Sequence, residues 1–132
     1  MKLFDEKAFT ALESSIKESR FQQPDMAEED LDSIKMAVLA FANYVYRVAE
    51  ERIEVRLASG VKNGAEYRQI VESFDATRHT AHEKAIAMTG LLNRMARAYD
   101  IPPIYTGDLT NRVMIGDFCR EFCDWLFAGR YQ

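Results

Sequence analysis

The sequence has few residues that break a chain. Three prolines and six glycines in 132 residues suit a few long helices better than many short strands, which need frequent turns. Only two cysteines are present, Cys119 and Cys123. Four apart on one helix, they would close almost no loop as a disulfide, so an oxidising compartment is not suggested. No apolar run is long enough to span a membrane, and the first residues, Met1 to Lys7, carry no apolar stretch of the signal-peptide kind. A basic surplus is missing too. Lys and Arg number 17 against 21 Asp and Glu, a net charge of -4, whereas proteins that grip nucleic acid neutralise phosphates with an excess of cations. Neither nucleic acid nor a membrane is expected as a partner, and a cytoplasmic location is the simplest expectation. Glycine-rich phosphate loops and the Gly-x-Ser-x-Gly elbow are absent as well.

What is present reads as one all-α domain over residues 1–132. Apolar residues make up 48% and charged residues 29%, a globular balance at a length that can bury a core without staples. A first helix is predicted from Asp5 to Arg20, with Phe9, Leu12 and Ile16 as its apolar stripe. Phe21 to Pro24 breaks it. Asp25 followed by Glu28 has the form of an N-cap with Glu at N3. The helix it opens is expected to run to Ser59, where Gly60 stops it, a span of roughly 50 Å at 1.5 Å per residue. Its columns are Leu31, Val38 and Val45 beside Ile34, Phe41, Val48 and Val55.

The Gly60 to Gly64 turn then predicts an antiparallel return helix from Ala65 to Tyr99. One of its columns is Tyr67, Phe74, Ala81, Met88 and Met95, and its neighbour is Val71, Arg78, Ala85, Leu92 and Tyr99. A break near Gly90 is allowed but not required. Pro102-Pro103 ends helical structure. Asp108 is the expected N-cap of a last helix reaching Phe127, with Met114, Ile115, Phe118, Phe122, Trp125 and Leu126 inward. The predicted architecture is a four-helix bundle built on a long antiparallel hairpin. The long pair would overhang the short pair, and covering that apolar surface predicts a homodimer.

The unusual chemistry lies in the return helix. Arg78 interrupts an apolar column, with Asp75 three before it and His82 four after it on the same face, and Asn93 continues that edge. An arginine in a seam is costly unless paired. On the facing helix, Arg52 and Arg56 stand where apolar residues are expected, so a cross-helix network of Arg52, Asp75, Arg78 and His82 is expected, with Glu72 near it. Such ion pairs can simply set register, the preferred reading. The alternative is a pocket in which two arginines and a histidine hold a carboxylate or phosphate. Catalysis by His82 as a general base oriented by Asp75 ranks third.

Metal chemistry ranks lower. His79-x-x-His82 and Cys119-x-x-x-Cys123 are single helical repeats rather than knuckles, the Glu-x-x-His pairs of di-iron bundles are absent, and Ile86 stands where a zinc protease needs its second histidine. No metal or cofactor is assigned. The cysteines flank the apolar stripe and read as small hydrophobes. An arginine followed by a histidine on a helix resembles small helical RNases of toxin systems, but their spacing is wider than that of Arg78 and His82.

The second half resembles a small bacterial family catalogued only as a domain of unknown function. The residues that carry the resemblance are Asp75-x-x-Arg78-x-x-x-His82-x-x-x-Ile86, Leu92-Asn93-Arg94, Pro103-Ile104-Tyr105-x-Gly107-Asp108, Arg112 and Ile115-Gly116-Asp117-Phe118. The family tends to carry a second arginine directly after the first, where this chain has His79. The resemblance implies a helical bacterial protein without a described activity. It also draws attention to Tyr105, Gly107, Asp108 and Arg112 before the last helix. They form either an ordinary capped connection, the favoured reading, or one end of the pocket. The candidate ligand-binding set is therefore Arg52, Asp75, Arg78, His82, Asn93, Tyr105 and Arg112, with no catalytic residue assigned. Self-association or a protein partner is the leading functional expectation, and a small anionic ligand is the second.

Overall fold

The computed structural model describes residues 2–47 and 64–129, with side chains described over 2–46 and 78–127. Four helices pack together: α1 (Glu6–Ser19), α2 (Pro24–Ala42), α3 (Gly64–Ala98) and α4 (Arg112–Asp124). Wider π-helical turns extend α2 over Asn43–Arg47 and α4 over Trp125–Gly129. No helix among the described residues is long and apolar enough to cross a membrane.

Capping chemistry sets where these helices start. Asp5 caps α1 by accepting from the Ala8 N–H at 3.0 Å, as an N-cap carboxylate should. The expected cap at Asp25 is corrected. Gln23 is the N-cap and Pro24 begins the helix. Proline's fixed φ and missing N–H suit that first position, which leaves Asp25 to favour the positive helix end from within the first turn. Asp108 is corrected likewise. Its carboxylate accepts from the N–H of Thr110 at 2.8 Å and from its hydroxyl at 2.7 Å, closing a local turn, and Asn111 caps α4 by accepting from Met114 N–H at 3.1 Å.

Helix α3 runs through Gly90 without a break. It ends where Asp100 turns left-handed at φ 57°, a conformation that a short polar side chain tolerates. The Ile101 N–H then returns to the Ala96 carbonyl at 2.8 Å.

Helices α2 and α3 run antiparallel. Tyr99 donates to Asp30 at 2.7 Å near one end of the pair, and Tyr44 meets His82 at 3.0 Å near the other. The predicted stripes supply the core. Phe9, Leu12 and Ile16 of α1, Ile34 and Phe41 of α2, Ala81, Ala85, Leu92 and Met95 of α3, and Ile115, Phe118, Phe122 and Leu126 of α4 are buried. Aromatic rings knit the layers, mostly edge to face. Phe41 contacts Phe118 and Phe122, and Phe4 contacts Phe122 at 5.0 Å and Trp125 at 5.2 Å.

Phe4 reaches this cluster because the N-terminal segment pairs with the connection before α4. The Asp5 N–H donates to Ile104 O, and Thr106 N–H to Leu3 O, both at 2.9 Å. The Glu121 carboxylate accepts from Leu3 N–H at 3.0 Å. This short antiparallel bridge joins the chain's start to the Pro-Pro connection and fixes how α4 sits on the bundle.

The expected hairpin turn, Val48, Val55, Arg52 and Arg56 lie outside the described residues, as do the side chains of Glu72 and Asp75. The overhang from which a homodimer was expected also falls largely on that part of the chain.

Candidate functional site

A cleft of about 440 Å³ opens where the end of α2, the middle of α3 and the first turns of α4 meet. Its walls carry Tyr44, Arg78, His79, His82, Arg112, Val113, Gly116 and Arg120. Helical spacing gathers them. Arg78 and His82 are one turn apart on α3, and Arg112, Gly116 and Arg120 follow at intervals of four along one face of α4. Gly116 lets the helices close at that point, since a Cβ there would stand 3.3 Å from the Tyr44 hydroxyl oxygen.

His82 is the buried polar side chain of the set, 8% exposed. Its Nδ1 lies 3.0 Å from the Tyr44 hydroxyl, and the two rings meet edge to face with centroids 5.1 Å apart. The other nitrogen, Nε2, is buried with no hydrogen-bond partner among the described residues. Burial lowers the pKa of this imidazole below its ordinary 6.5. The positive charge of Arg112 adds to the effect, as do Arg78 and His79, while Glu83 opposes it. A neutral imidazole therefore sits at the base of a cationic cleft.

The surrounding charges are partly engaged. Arg112 donates to Glu83 at 2.7 Å, and Arg120 to Asp117 at 3.2 Å. Both pairs are more than half exposed on their arginine side and contribute little to stability. They matter as orientation, because each pair uses one guanidinium edge and leaves further N–H donors. Arg78 and His79 are exposed on the α3 side. The expectation that Arg78 lies within the helix seam is corrected: at the rim its head group stays hydrated, which removes the cost of burying it.

The candidate residues divide. Arg78, His82 and Arg112 come together on the cleft. Asn93 and Tyr105 do not join them. The Asn93 side chain accepts from the N–H groups of Ile104 and Tyr105 at 3.0 and 2.9 Å, and donates to the Tyr105 carbonyl at 3.0 Å. Tyr105 is buried against Phe118 and donates its hydroxyl to the Asp108 carbonyl at 2.6 Å. These two hold the connection before α4 and line no wall of the cleft. Arg52 and the Asp75 side chain lie outside the described residues.

Tyr44 and Arg120 were missing from the sequence reading. The interval of four through Arg112, Gly116 and Arg120 could have exposed Arg120, and Tyr44 follows the core residue Phe41 by three.

Both cysteines are fully buried among the α4 core residues. Burial pushes each thiol up to about 12, so they are inert as nucleophiles at neutral pH. Among the described residues, no group of three or more histidine, cysteine or acidic side chains gathers as a metal site.

The family described as "Protein of unknown function (DUF3232)" matches residues 12–132. The chain belongs to this family. The DUF3232 match takes in all four helices apart from the first turns of α1, and so covers every wall of the cleft. A search of curated proteins and of solved structures returned no similar protein.

Proposed function

We propose that this DUF3232 protein binds a small anionic molecule in the cleft between α2, α3 and α4. The observation that carries this reading is the convergence of Arg78, Arg112 and Arg120 from two helices around one concavity, in a chain whose net charge is -4. Concentrating cations on one site of an acidic protein needs a reason. Structural pairing supplies only part of one, because the two ion pairs are exposed and weak. The volume lies within the roughly 300–1,000 Å³ of small-molecule sites. Titration with sulfate and with succinate, followed by amide NMR, tests it. Shifts should cluster at Tyr44, Arg78 to His82 and Arg112 to Arg120. Arg78→Ala should weaken them while leaving the melting temperature unchanged, because Arg78 is exposed. A collapse of folding in that variant would assign the residue to structure instead.

A second reading, association of two copies, is favoured by one surface feature. Met36 and Leu39, 60% and 68% exposed, lie three apart on the outer side of α2. Sedimentation of the protein and of Leu39→Glu decides this reading: a concentration-dependent dimer lost in the variant supports it, and a monomer at high concentration ends it.

A further inference from the structure

We propose that the ligand of the cleft is a phosphate monoester, its phosphoryl group held at the start of α4 between Arg112 and His82 and its organic part lying along Val113 and Gly116. This rests on the anion-binding reading and narrows it to one ligand class.

The start of α4 is built to receive oxygens. The Asn111 side chain serves the Met114 N–H, and the first intrahelical bond runs from Ile115 N–H to Asn111 O. The N–H groups of Arg112 and Val113 therefore have no acceptor within the helix, and they stand at the positive end of its dipole. Both residues line the cleft.

A second feature converges on the same place from α3. His82 is buried, lines the cleft, and among the described residues has no partner at Nε2. Its environment favours the neutral ring. When the Tyr44 hydroxyl donates to Nδ1, the remaining proton sits on Nε2 as a buried, unused donor. Leaving such a group unpaired is destabilising, and an anionic oxygen would remove that cost.

Donor geometry separates phosphoryl from carboxylate. At the start of α4 the Arg112 guanidinium, two helix N–H groups and one imidazole approach from different directions, which suits the three tetrahedrally arranged terminal oxygens of a phosphoryl group better than the two coplanar oxygens of a carboxylate. The cleft is also larger than a bare ion needs. Between Arg112 and Arg120 its α4 wall runs over Val113, which is 73% exposed, and over the buried Gly116, which has no side chain. That is a flat, weakly apolar surface for an organic substituent.

Titration calorimetry and amide NMR with phenyl phosphate, inorganic phosphate and benzoate test the assignment. Phenyl phosphate should bind at least tenfold more tightly than either of the others, with shifts at the Arg112 and Val113 amides and at the His82 ring. His82→Gln should lose at least tenfold in phenyl phosphate affinity. Arg112→Gln, at a side chain 59% exposed and so without risk to folding, should do the same. Benzoate binding as tightly as phenyl phosphate, with shifts in the cleft, would overturn the phosphoryl class and leave the anion site standing. Inorganic phosphate equal to phenyl phosphate would overturn the ester. No binding of any of the three at millimolar concentration would overturn both readings, and shifts outside the cleft would overturn the location.

Discussion

The Asn93 amide holds the Tyr105 main chain at both of its polar atoms, accepting from the N–H at 2.9 Å and donating to the carbonyl at 3.0 Å. A third bond, from the Ile104 N–H at 3.0 Å, completes the clamp. The connection before α4 is thereby tied to α3, and through the Phe4 bridge to the chain's first residues. Asn93→Ala would strand these backbone groups at about 1–3 kcal/mol for each one left unsatisfied. We expect a loss of about 3 kcal/mol in urea unfolding. The variant should retain the cleft chemistry at temperatures where it is folded, because Asn93 lines a different surface.

Two glycines make a graded comparison. A Cβ at Gly107 would stand 2.6 Å from the Tyr105 hydroxyl oxygen. Tyr105 cannot yield, being buried and hydrogen-bonded to Asp108 O. Gly107→Ala should cost about 2–3 kcal/mol, as overpacking of a tight core does. At Gly116 the nearest atom is the Tyr44 hydroxyl oxygen at 3.3 Å, so a shift of a few tenths of an ångström suffices. Gly116→Ala should cost under about 1 kcal/mol yet disturb the Tyr44–His82 bond, visible as a change in the His82 ring nitrogen shifts. Equal destabilisation by the two variants would contradict this ordering.

The helices were legible in the sequence because burial along a helix repeats. Phe9, Leu12 and Ile16, or Phe118 and Phe122, could hardly face anywhere but inward. The family membership was legible in the second half, and the match extends it to residue 12. The site was half legible. Spacing puts Arg78 and His82 on one face, but spacing gives a direction and not a depth. Only packing shows that Arg78 reaches the rim while His82 is enclosed. Tyr44 escaped notice because its pairing with His82 depends on register across the hairpin, which no local pattern encodes. By spacing Asn93 continues the edge of Arg78 and His82, and Tyr105 enters the candidate set through the resemblance at the connection before α4. Their bonds instead satisfy the backbone of a connection that proline keeps from helical structure.

The cysteines give a direct chemical check on the core. The chain contains two, both fully buried in α4, and burial pushes each pKa up to about 12. Reaction with a thiol-specific disulfide reagent at pH 8 should therefore be negligible in the native protein. It should reach two equivalents in denaturant. A thiol that reacts fast in the folded state would contradict the packing of α4.

The His82 environment also fixes a sign for stability against pH. Its folded pKa lies below the ordinary 6.5, first through burial and then through Arg112. Between that lowered value and 6.5, the unfolded chain binds more protons than the folded one, so stability rises with pH across the window. It should be fully present above about pH 7 and decline as pH falls through 6.5. Among the described residues, the charged or titratable groups facing the ring are Tyr44 from α2, Arg112 and Arg120 from α4, and Arg78, His79 and Glu83 from α3. The cations outnumber Glu83, which keeps the sign unambiguous. His82→Gln retains an acceptor for Tyr44 but does not titrate. Its unfolding free energy should therefore lose this slope between pH 7 and 5.5, above the range where carboxylates begin to protonate. An anion bound in the cleft should flatten the slope in the unaltered protein, because a negative charge near the ring favours its protonated form. If the unaltered protein and His82→Gln show the same slope with no ligand present, the imidazole is not held neutral by this site.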